Sequence, residues 1–223
     1  MVTPKPGIDR QSIARRLAME FQDGWIVNLG VGMPTLCSNY DFKDIEILFH
    51  SEQGVIGYGP IALKGEEDPF LTNAGGQYVS LNPGAAITNH ADSFGLIRSG
   101  RVDVTVLGAY EVAENGDLAN YKTAGRKGGG IGGAMDLAVG AKNVFIAMEH
   151  TTRAGQPRML KRCTLPLTAP GVVKLVCTNL GLFEVTPQGF LLREIAPGFT
   201  TEEVQDLSEA KLIIPPDLKD LKM

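Results

Sequence analysis

One glutamate in this sequence combines the chemistry and the position of a reactive residue. Glu52 stands just past an apolar, strand-like segment and shortly before Gly54. In open α/β folds, ligands bind at the carboxyl edge of the parallel strands. A carboxylate at that edge, next to a glycine that permits close approach, could act as a general base, a ribose ligand or a nucleophile. The alternative is a solvated loop glutamate, the commonest fate of this residue type.

A first glycine-rich turn, Gly30-Val31-Gly32, follows a predicted strand and precedes a short helix that begins near Pro34. The turn resembles a dinucleotide-binding fingerprint without its third glycine. Glu52 lies 20 residues after Gly32, where an acidic ribose ligand is expected. Pro34, however, lacks one of the backbone donors that a pyrophosphate would need. An NAD-dependent oxidoreductase that uses Gly30, Gly32 and Glu52 therefore stays open as an alternative function.

A second glycine-rich run extends from Gly128 to Gly133 and leads into a predicted helix over residues 133–139. Its glycine spacing also matches the fingerprint, but residues 121–127 before it do not form a buried strand pattern. Successive glycines ahead of a helix can present bare N–H groups to a ligand, and the start of a helix favours negative charge. This run is therefore a second candidate site, with a flexible loop as the alternative.

The elements that must position these residues alternate along the chain. Apolar residues four apart, namely Ile13, Leu17 and Phe21, predict an amphipathic helix over residues 8–21. Strands are predicted over residues 25–29, 45–49, 102–107, 143–148 and 172–177, and a glycine-rich loop over residues 50–59. Strand, helix and strand in this order indicate parallel strands that are buried on both faces. The predicted fold is therefore α/β, with an open, mostly parallel sheet.

The C-terminal region adds a hairpin and a last helix to this prediction. Residues 183–185 and 190–192 flank the turn sequence Thr186-Pro187-Gln188-Gly189, which indicates a hairpin at the sheet edge. Thr200 and Glu203 have capping-box spacing and predict a helix that runs to about residue 210. Because no repeat or linker is visible, residues 1–223 are predicted to form a single domain.

The composition indicates a globular chain and argues against several functions. The chain has 21 basic and 25 acidic side chains and a formal net charge of -4, so no nucleic-acid partner is expected. The apolar runs are too short to span a membrane, and charged residues near the N-terminus argue against a secretory signal, so the cytoplasm is the predicted location. The three cysteines and three histidines lack metal-ligand spacing, and we expect buried free thiols and structural histidines.

Taken together, these segments resemble the B (beta) subunit of the family I CoA-transferases, the 3-oxoacid CoA-transferase group. The resemblance covers nearly the whole chain. Its motifs are Val27-Asn28-Leu29-Gly30-Val31-Gly32-Met33-Pro34-Thr35, Ser51-Glu52-Gln53-Gly54-Val55-Ile56-Gly57-Tyr58-Gly59-Pro60, Asn73-Ala74-Gly75-Gly76-Gln77, Ala91-Asp92-Ser93-Phe94, Gly116-Asp117-Leu118-Ala119-Asn120, Gly132-Gly133-Ala134-Met135-Asp136-Leu137, Arg162-Cys163-Thr164-Leu165-Pro166-Leu167-Thr168 and Glu194-Ile195-Ala196-Pro197-Gly198.

This resemblance implies a Rossmann-like sheet of the CoA-transferase superfamily and a catalytic glutamate. In that family the glutamate of a Ser-Glu-Asn-Gly motif is the nucleophile, which implies that role for Glu52. The nucleophile attacks an acyl-CoA and becomes a glutamyl-CoA thioester, from which CoA passes to a second carboxylic acid. The implied donors are succinyl-CoA or acetyl-CoA. The implied acceptors are acetoacetate or 3-oxoadipate, as in ketone body metabolism.

The resemblance also implies roles for the residues around the glutamate. Gly133 matches a backbone N–H donor of the oxyanion hole. The other implied contacts to CoA or substrate are Gln53, Gly54, Gly75, Gly76, Gly130 and Gly132. Two positions depart from the family pattern, since Gln53 replaces the usual asparagine and Gly76 stands where several members have a lysine that contacts CoA. A non-catalytic CoA-binding subunit is therefore a further alternative.

A partner chain follows from the same resemblance. In that family an A (alpha) subunit faces the B (beta) subunit across the active site, which implies an A/B heterodimer that pairs into an A2B2 heterotetramer. Gly133 supplies only one oxyanion donor, so we expect part of the site to come from the partner. Neither a metal nor a tightly bound cofactor is expected, because CoA takes part as a substrate.

Overall fold

The computed structural model describes residues 5–123, 125 and 129–222 of the chain. In chain order, the elements of these segments are α1 (Arg10–Ala18), β1 (Ile26–Leu29), a 3₁₀ helix (Met33–Asn39), β2 (Leu48–Ser51), β3 (Val55–Ile61), β4 (Val79–Ile87), α2 (His90–Arg98), β5 (Val104–Leu107), β6 (Glu111–Ala113), β7 (Leu118–Ala119), α3 (Ala134–Gly140), β8 (Asn143–Ala147), β9 (Met159–Leu160), β10 (Val173–Thr178), β11 (Gly181–Thr186), β12 (Gly189–Ile195), α4 (Thr201–Asp206) and β13 (Lys219–Asp220).

One large sheet organises these elements. Its strand order is β13-β12-β11-β10-β8-β5-β1-β2-β3-β4. The central strands from β10 to β2 all run parallel, and antiparallel pairs flank them on both sides. The predicted α/β fold with an open, mostly parallel sheet is therefore confirmed. A smaller sheet has the order β7-β6-β9.

Two apolar cores cover the two faces of the large sheet, because successive residues of a strand point to opposite sides. In β8, Val144 and Ile146 belong to one core, and Phe145 and Ala147 belong to the other. Helices α2 and α3 contribute to the first core and α1 to the second. Burial on both faces explains the continuous apolar runs in the sequence. None of the described helices has the length and apolar character needed to cross a membrane.

Helix α1 starts after the predicted residue 8 because Asp9 caps it, and it ends at Ala18 rather than at Phe21. The Asp9 carboxylate accepts a hydrogen bond from the Ser12 N–H at 2.7 Å, and the helix begins at Arg10. The buried Arg16 donates two hydrogen bonds to Glu194 of β12, at 2.7 and 2.8 Å. Burial alone would raise the pKa of Glu194, but the bonds from Arg16 hold it below its ordinary value. This ion pair connects α1 to β12.

Two predictions around Glu52 are wrong in their bounds. The second strand lies at Leu48–Ser51 rather than over residues 45–49, and the predicted loop over residues 50–59 contains most of β3. Gly57 fits within β3 because the strand is irregular there: its φ is +79°, and a Cβ would lie 3.1 Å from the Ala85 Cα of β4. A glycine inside a strand often marks such a close backbone approach.

The C-terminal predictions are confirmed in type and corrected in extent. Strands β11 and β12 form the expected antiparallel hairpin, but β13 pairs with β12, so the hairpin is not the edge of the sheet. Thr200 and Glu203 form the predicted capping box. Helix α4 ends at Asp206 rather than near residue 210. In the turn that follows, the Gln205 side chain donates a hydrogen bond to the Ala210 carbonyl at 3.0 Å.

The cysteines and histidines largely occupy the structural positions expected of them. All three cysteines are free thiols; Cys37 and Cys177 are buried as predicted, and Cys163 is only partly buried. His150 is buried, and its ring nitrogens share hydrogen bonds with two hydroxyl groups at 3.0 and 2.8 Å. His90 is exposed at the start of α2, so the prediction of a structural histidine is wrong there.

Candidate active site

Glu52 lies in the tight turn that joins β2 to β3. Because β2 runs parallel to β1, this turn lies at the carboxyl edge of the parallel strands, as predicted. The Gly54 N–H closes the turn by donating to the Ser51 carbonyl at 2.9 Å. Gly54 has a φ of +124°, and a Cβ on it would overlap the carbonyl oxygen of Thr88. The turn therefore requires glycine, and this requirement fixes where Glu52 leaves the strand.

The Glu52 carboxylate is oriented by a buried amide. Asn28 of β1 donates to Glu52 Oε2 at 3.3 Å and to the His50 carbonyl at the same distance. The hydroxyl of Thr105 in β5 in turn donates to Asn28 Oδ1 at 3.2 Å. The parallel register explains these contacts, since Asn28 pairs with His50 on one side and with Thr105 on the other. Asn28 thus connects the glutamate to the centre of the sheet.

His50, two residues before Glu52, contacts both Asn28 and α2. Its Nδ1 lies 3.2 Å from the Asn28 amide nitrogen, and its Nε2 lies 2.8 Å from the hydroxyl of Ser93 in α2. Burial lowers the pKa of His50 to about 4, so the ring is neutral at neutral pH. A buried, neutral ring with a hydroxyl partner at Nε2 agrees with the predicted structural role of this histidine.

A cavity of about 440 Å³ brings together the two regions that the sequence marked as candidates. Glu52 lines it together with Gly130, Gly132 and Gly133, and Gly30 of the first turn lines it too. Gly128, where the second run begins, lies outside the described residues. A larger surface cavity of about 570 Å³, formed mainly by residues between 38 and 60, includes none of these five residues.

Gly133, the predicted oxyanion glycine, packs tightly against Phe94 and lies beside Glu52. It precedes the first residue of α3, and a Cβ on it would lie 3.5 Å from Glu52 Cγ and 3.2 Å from Phe94 Cζ. Among the backbone hydrogen bonds of the described segments, none uses the Gly133 N–H. Within these segments, Gly133 therefore has an N–H without a backbone acceptor and lies beside Glu52, and both residues line the same cavity.

The remaining predicted residues, Gln53, Gly54, Gly75 and Gly76, do not line this cavity. Gln53 accepts a hydrogen bond from the Ser51 hydroxyl and donates to the Thr72 carbonyl. This second bond joins the Glu52 turn to the loop that contains Gly75 and Gly76. The loop is shaped by Asn73, whose side-chain oxygen accepts from the Gly75 N–H at 2.9 Å. Gly76 is exposed and has a φ of +73°.

Four polar residues at this site were not predicted from the sequence. Tyr110, Asn120 and Arg158 line the cavity, and Asn28 touches the glutamate. Asn28 had a local signal, because a polar residue in an apolar strand needs a buried partner. The other three had none, since the pairing of β6, β7 and β9 brings them into place. Glu52 and Arg158 are the only charged side chains that line the cavity in the described part of the chain.

Comparison with known proteins shows extensive similarity. The chain matches the family model "Coenzyme A transferase" over residues 10–207. It is 46% identical over 208 residues to the B (beta) subunit of the 3-oxoadipate CoA-transferase of Pseudomonas putida, an alignment that covers 92% of this chain and 97% of that protein. It is 42% identical over 202 residues to the B (beta) subunit of the succinyl-CoA:3-ketoacid coenzyme A transferase of Helicobacter pylori, covering 91% of this chain and 97% of that protein.

The fold is also similar to that of solved structures. The crystal structure of an acyl-CoA transferase apoenzyme from Escherichia coli O157:H7 aligns with a TM-score of 0.76 and 22% sequence identity. The alignment covers 100% of this chain and 45% of that one, so this chain corresponds in fold to about half of the larger protein.

Proposed function

Because the chain belongs to the coenzyme A transferase family, we propose that it is the B (beta) subunit of an enzyme that moves CoA from an acyl-CoA to a short 3-oxo acid. The donor is succinyl-CoA or acetyl-CoA, and the acceptor is acetoacetate or 3-oxoadipate. The names of the relatives from P. putida and H. pylori support this substrate class. The reaction passes through a glutamyl-CoA thioester on Glu52.

The position of Glu52 is the observation that carries this proposal. Its carboxylate lies at the carboxyl edge of the parallel strands, held by Asn28 and adjacent to Gly133 in one cavity. A carboxylate suits the reaction because it is about as good a leaving group as the carboxylic acid that it exchanges with. The same group can therefore serve as nucleophile in the first half-reaction and as leaving group in the second.

The proposed reaction balances in two mirror-image halves. The Glu52 carboxylate attacks the thioester carbonyl, and a mixed anhydride forms as CoA thiolate leaves. The thiolate then attacks the glutamyl carbonyl, which gives glutamyl-CoA and releases the donor acid as its carboxylate. The acceptor acid repeats these steps in reverse order, so that acyl-CoA leaves and the Glu52 carboxylate is restored. Each step exchanges one acyl bond for another and needs no oxidant or metal.

Gly133 has the role of stabilising charge in this scheme. Each attack places negative charge on a carbonyl oxygen, and a preorganised N–H donor can lower the barrier by roughly 2.7–4 kcal/mol. Gly133 lies next to Glu52, and its N–H has no acceptor among the described backbone groups. A second donor is required for a complete oxyanion hole, and we assign it to the partner subunit.

The partner is an A (alpha) subunit, and the assembly is an A2B2 heterotetramer with this cavity near the A/B interface. The names of the relatives, which designate each of them as one of two kinds of subunit, support a two-subunit enzyme. CoA enters as a substrate and contacts the loops at Gly130 and Gly132. Gln53, Gly54, Gly75 and Gly76 contribute to CoA binding through the joined turn and loop. Without a lysine at position 76, this loop binds CoA through its backbone.

The two alternative functions receive less support. For an NAD-dependent oxidoreductase, the turn at Gly30 and Gly32 should lead into an α-helix whose N–H groups hold a pyrophosphate. It leads instead into a 3₁₀ helix with Pro34 near its start. A non-catalytic CoA-binding subunit would need no oriented carboxylate, yet Asn28 fixes that of Glu52.

Trapping the thioester tests the proposal. The complex of this chain with its A (alpha) subunit is incubated with succinyl-CoA and then treated with borohydride, which reduces a thioester to an alcohol. We expect the peptide that contains Glu52 to change in mass accordingly. The Glu52→Ala variant should show neither this change nor transfer, and Glu52→Asp should lose about 100-fold in rate because its carboxylate is displaced by about 1 Å.

Glu66→Gln is the matched control, because Glu66 is exposed and lies outside the cavity. This variant should transfer CoA at the wild-type rate. An unmodified Glu52 in a complex that transfers CoA would contradict the nucleophile role. Full activity of this chain without its partner would contradict the two-subunit site, and binding of a nicotinamide nucleotide would favour the oxidoreductase.

A further inference from the structure

Arg158 is a cation inside the cavity that the proposed reaction does not use. Apart from Glu52, no other charged side chain of the described residues lines this space. The remaining lining consists of glycines, apolar side chains and the neutral polar groups of Tyr110 and Asn120. The cavity therefore has one negative and one positive side chain.

Most of the hydrogen-bonding capacity of Arg158 is unused. A guanidinium has five N–H donors. Its Nη1 donates to the Ala109 carbonyl at 3.4 Å, whereas the Nε is buried and has no partner in the described part of the chain. The salt bridges of these segments do not include Arg158, and the nearby Glu149 pairs with Arg10 at 3.3 Å. The Arg158 side chain lines the cavity, so its remaining donors are available to a ligand that supplies acceptors.

The backbone around Arg158 is held from two sides. Its carbonyl accepts from the Val112 N–H of β6 at 2.9 Å, and its own N–H donates to the His150 carbonyl at 3.1 Å. The next residue, Met159, is fully buried in the apolar core. The small sheet thus presents the arginine to the cavity on a rigid support, which a specific ligand contact requires.

We propose that Arg158 binds the distal carboxylate of a dicarboxylic acyl group whose thioester carbon lies at Glu52. Guanidinium and carboxylate match in charge and in planar, two-pronged geometry. This inference rests on the proposed function and narrows its substrates. Succinyl and 3-oxoadipyl groups carry such a second carboxylate, whereas acetyl and acetoacetyl groups do not. Arg158 selects the former and takes no part in the bond changes at Glu52.

The test compares two donors that differ only at the distal end. Succinyl-CoA carries a carboxylate where butyryl-CoA carries a methyl group, and both carry the same CoA phosphates. The rate constant for thioester formation on Glu52 is measured with each donor, by borohydride trapping in the complex with the A (alpha) subunit. We expect Arg158→Gln to lower the ratio of the succinyl-CoA to the butyryl-CoA rate constant by about 10- to 100-fold, the range for a hydrogen bond to a charged group.

Two further variants complete the design. Arg158→Lys keeps the positive charge and should recover part of the ratio. Arg153→Gln removes an exposed arginine of the same segment outside the cavity, and should keep the wild-type ratio. Binding of free succinate, measured by calorimetry, should weaken in Arg158→Gln relative to Arg153→Gln.

Any other result would contradict the proposed binding of the distal carboxylate by Arg158, and the results differ in what they imply. An equal loss with both donors would assign Arg158 to the CoA phosphates or to a carboxylate of the partner subunit, and an unchanged ratio would remove it from substrate binding. If the wild-type complex forms no thioester with either donor, the proposed function fails and this inference fails with it. If the wild type forms the thioester and Arg158→Gln keeps the ratio, only this inference fails.

Discussion

At the scale of single residues, Gly133 is a glycine that is needed for the space around it and not for its backbone conformation. Its φ of -66° is one that any residue adopts. An added methyl group would meet Phe94 Cζ at 3.2 Å and Glu52 Cγ at 3.5 Å. We expect Gly133→Ala to keep a melting temperature close to that of the wild type. Thioester formation should fall at least about tenfold, because the nucleophile or the donor is displaced.

The matched control for this prediction is Gly95→Ala. Gly95 lies within α2, and nothing lies within 4 Å of the position that its Cβ would take. This variant should form the thioester at the wild-type rate and can gain about 0.4–1 kcal/mol of stability. Wild-type rates for Gly133→Ala as well would contradict the close contact between Gly133 and Glu52.

Single residues differ in how far the sequence reveals them. The place of Glu52 was predictable, because an apolar strand followed by a glycine indicates the carboxyl edge of a parallel sheet. The contact from Asn28 was not, because it depends on the register between β1 and β2. Arg158 was not predictable either, since no local pattern shows that its side chain lines the same cavity as Glu52.

At the scale of elements, the turn between β2 and β3 sets the position of the nucleophile. Gly54 has both a positive φ and a backbone contact that leaves no room for a Cβ. Gly84 in β4 has a φ of +85° and nothing within 4 Å. We expect Gly84→Ala to lower the free energy of unfolding by about 1–3 kcal/mol through backbone strain. Gly54→Ala should lower it further and also reduce thioester formation, because Thr88 must move.

Urea unfolding of both variants, together with thioester trapping, checks this prediction. The difference between the two variants measures the steric contact, since both share the strained backbone. Equal losses of stability, with normal chemistry in Gly54→Ala, would show that the turn accommodates a side chain.

Elements with continuous apolar runs were predictable, and irregular ones were not. The runs that became β1, β5, β8 and β10 are buried on both faces, so their pattern is simple. Strands β3 and β4 contain glycines and prolines that are typical of loops. Pro83 is tolerated because β4 is the last strand of the sheet, where a missing N–H leaves no ladder bond unmade.

At the scale of the whole molecule, two buried histidines make stability depend on pH. Burial lowers the pKa of His50 and His150 to about 4, from an ordinary value near 6.5. Below about pH 6.5 the unfolded chain binds protons at these positions, whereas the folded chain does so only near pH 4. We therefore expect the free energy of unfolding to fall as the pH falls from about 6.5 to 4, which urea unfolding across this range measures.

Histidine variants identify the source of this pH dependence. His150→Gln removes one of the two groups and should show a shallower decrease between about pH 6.5 and 4. His90→Gln changes an exposed ring and should leave the decrease as in the wild type. A decrease in His150→Gln that is as steep as in the wild type would contradict the contribution of the buried ring.

The cavity itself is a property of the whole molecule. Glu52 and Gly30 directly follow strands of the large sheet, whereas Arg158 directly precedes a strand of the small one. No single segment of the sequence contains the site, which explains why sequence patterns located Glu52 and missed Tyr110, Asn120 and Arg158. Sequence periodicity predicts single helices and strands, whereas this cavity is lined by residues that adjoin two different sheets.

The ion pair between Arg16 and Glu194 has a consequence for the order of events during synthesis. The two residues are 178 positions apart, so α1 leaves the ribosome long before its bidentate partner is made. Until then, Arg16 can pair with Glu20 of the next turn, at 2.7 Å in the finished structure. Burying a half-paired arginine is unfavourable. We therefore expect α1 to complete its docking only after Glu194 has been synthesised and the C-terminal hairpin has joined the sheet.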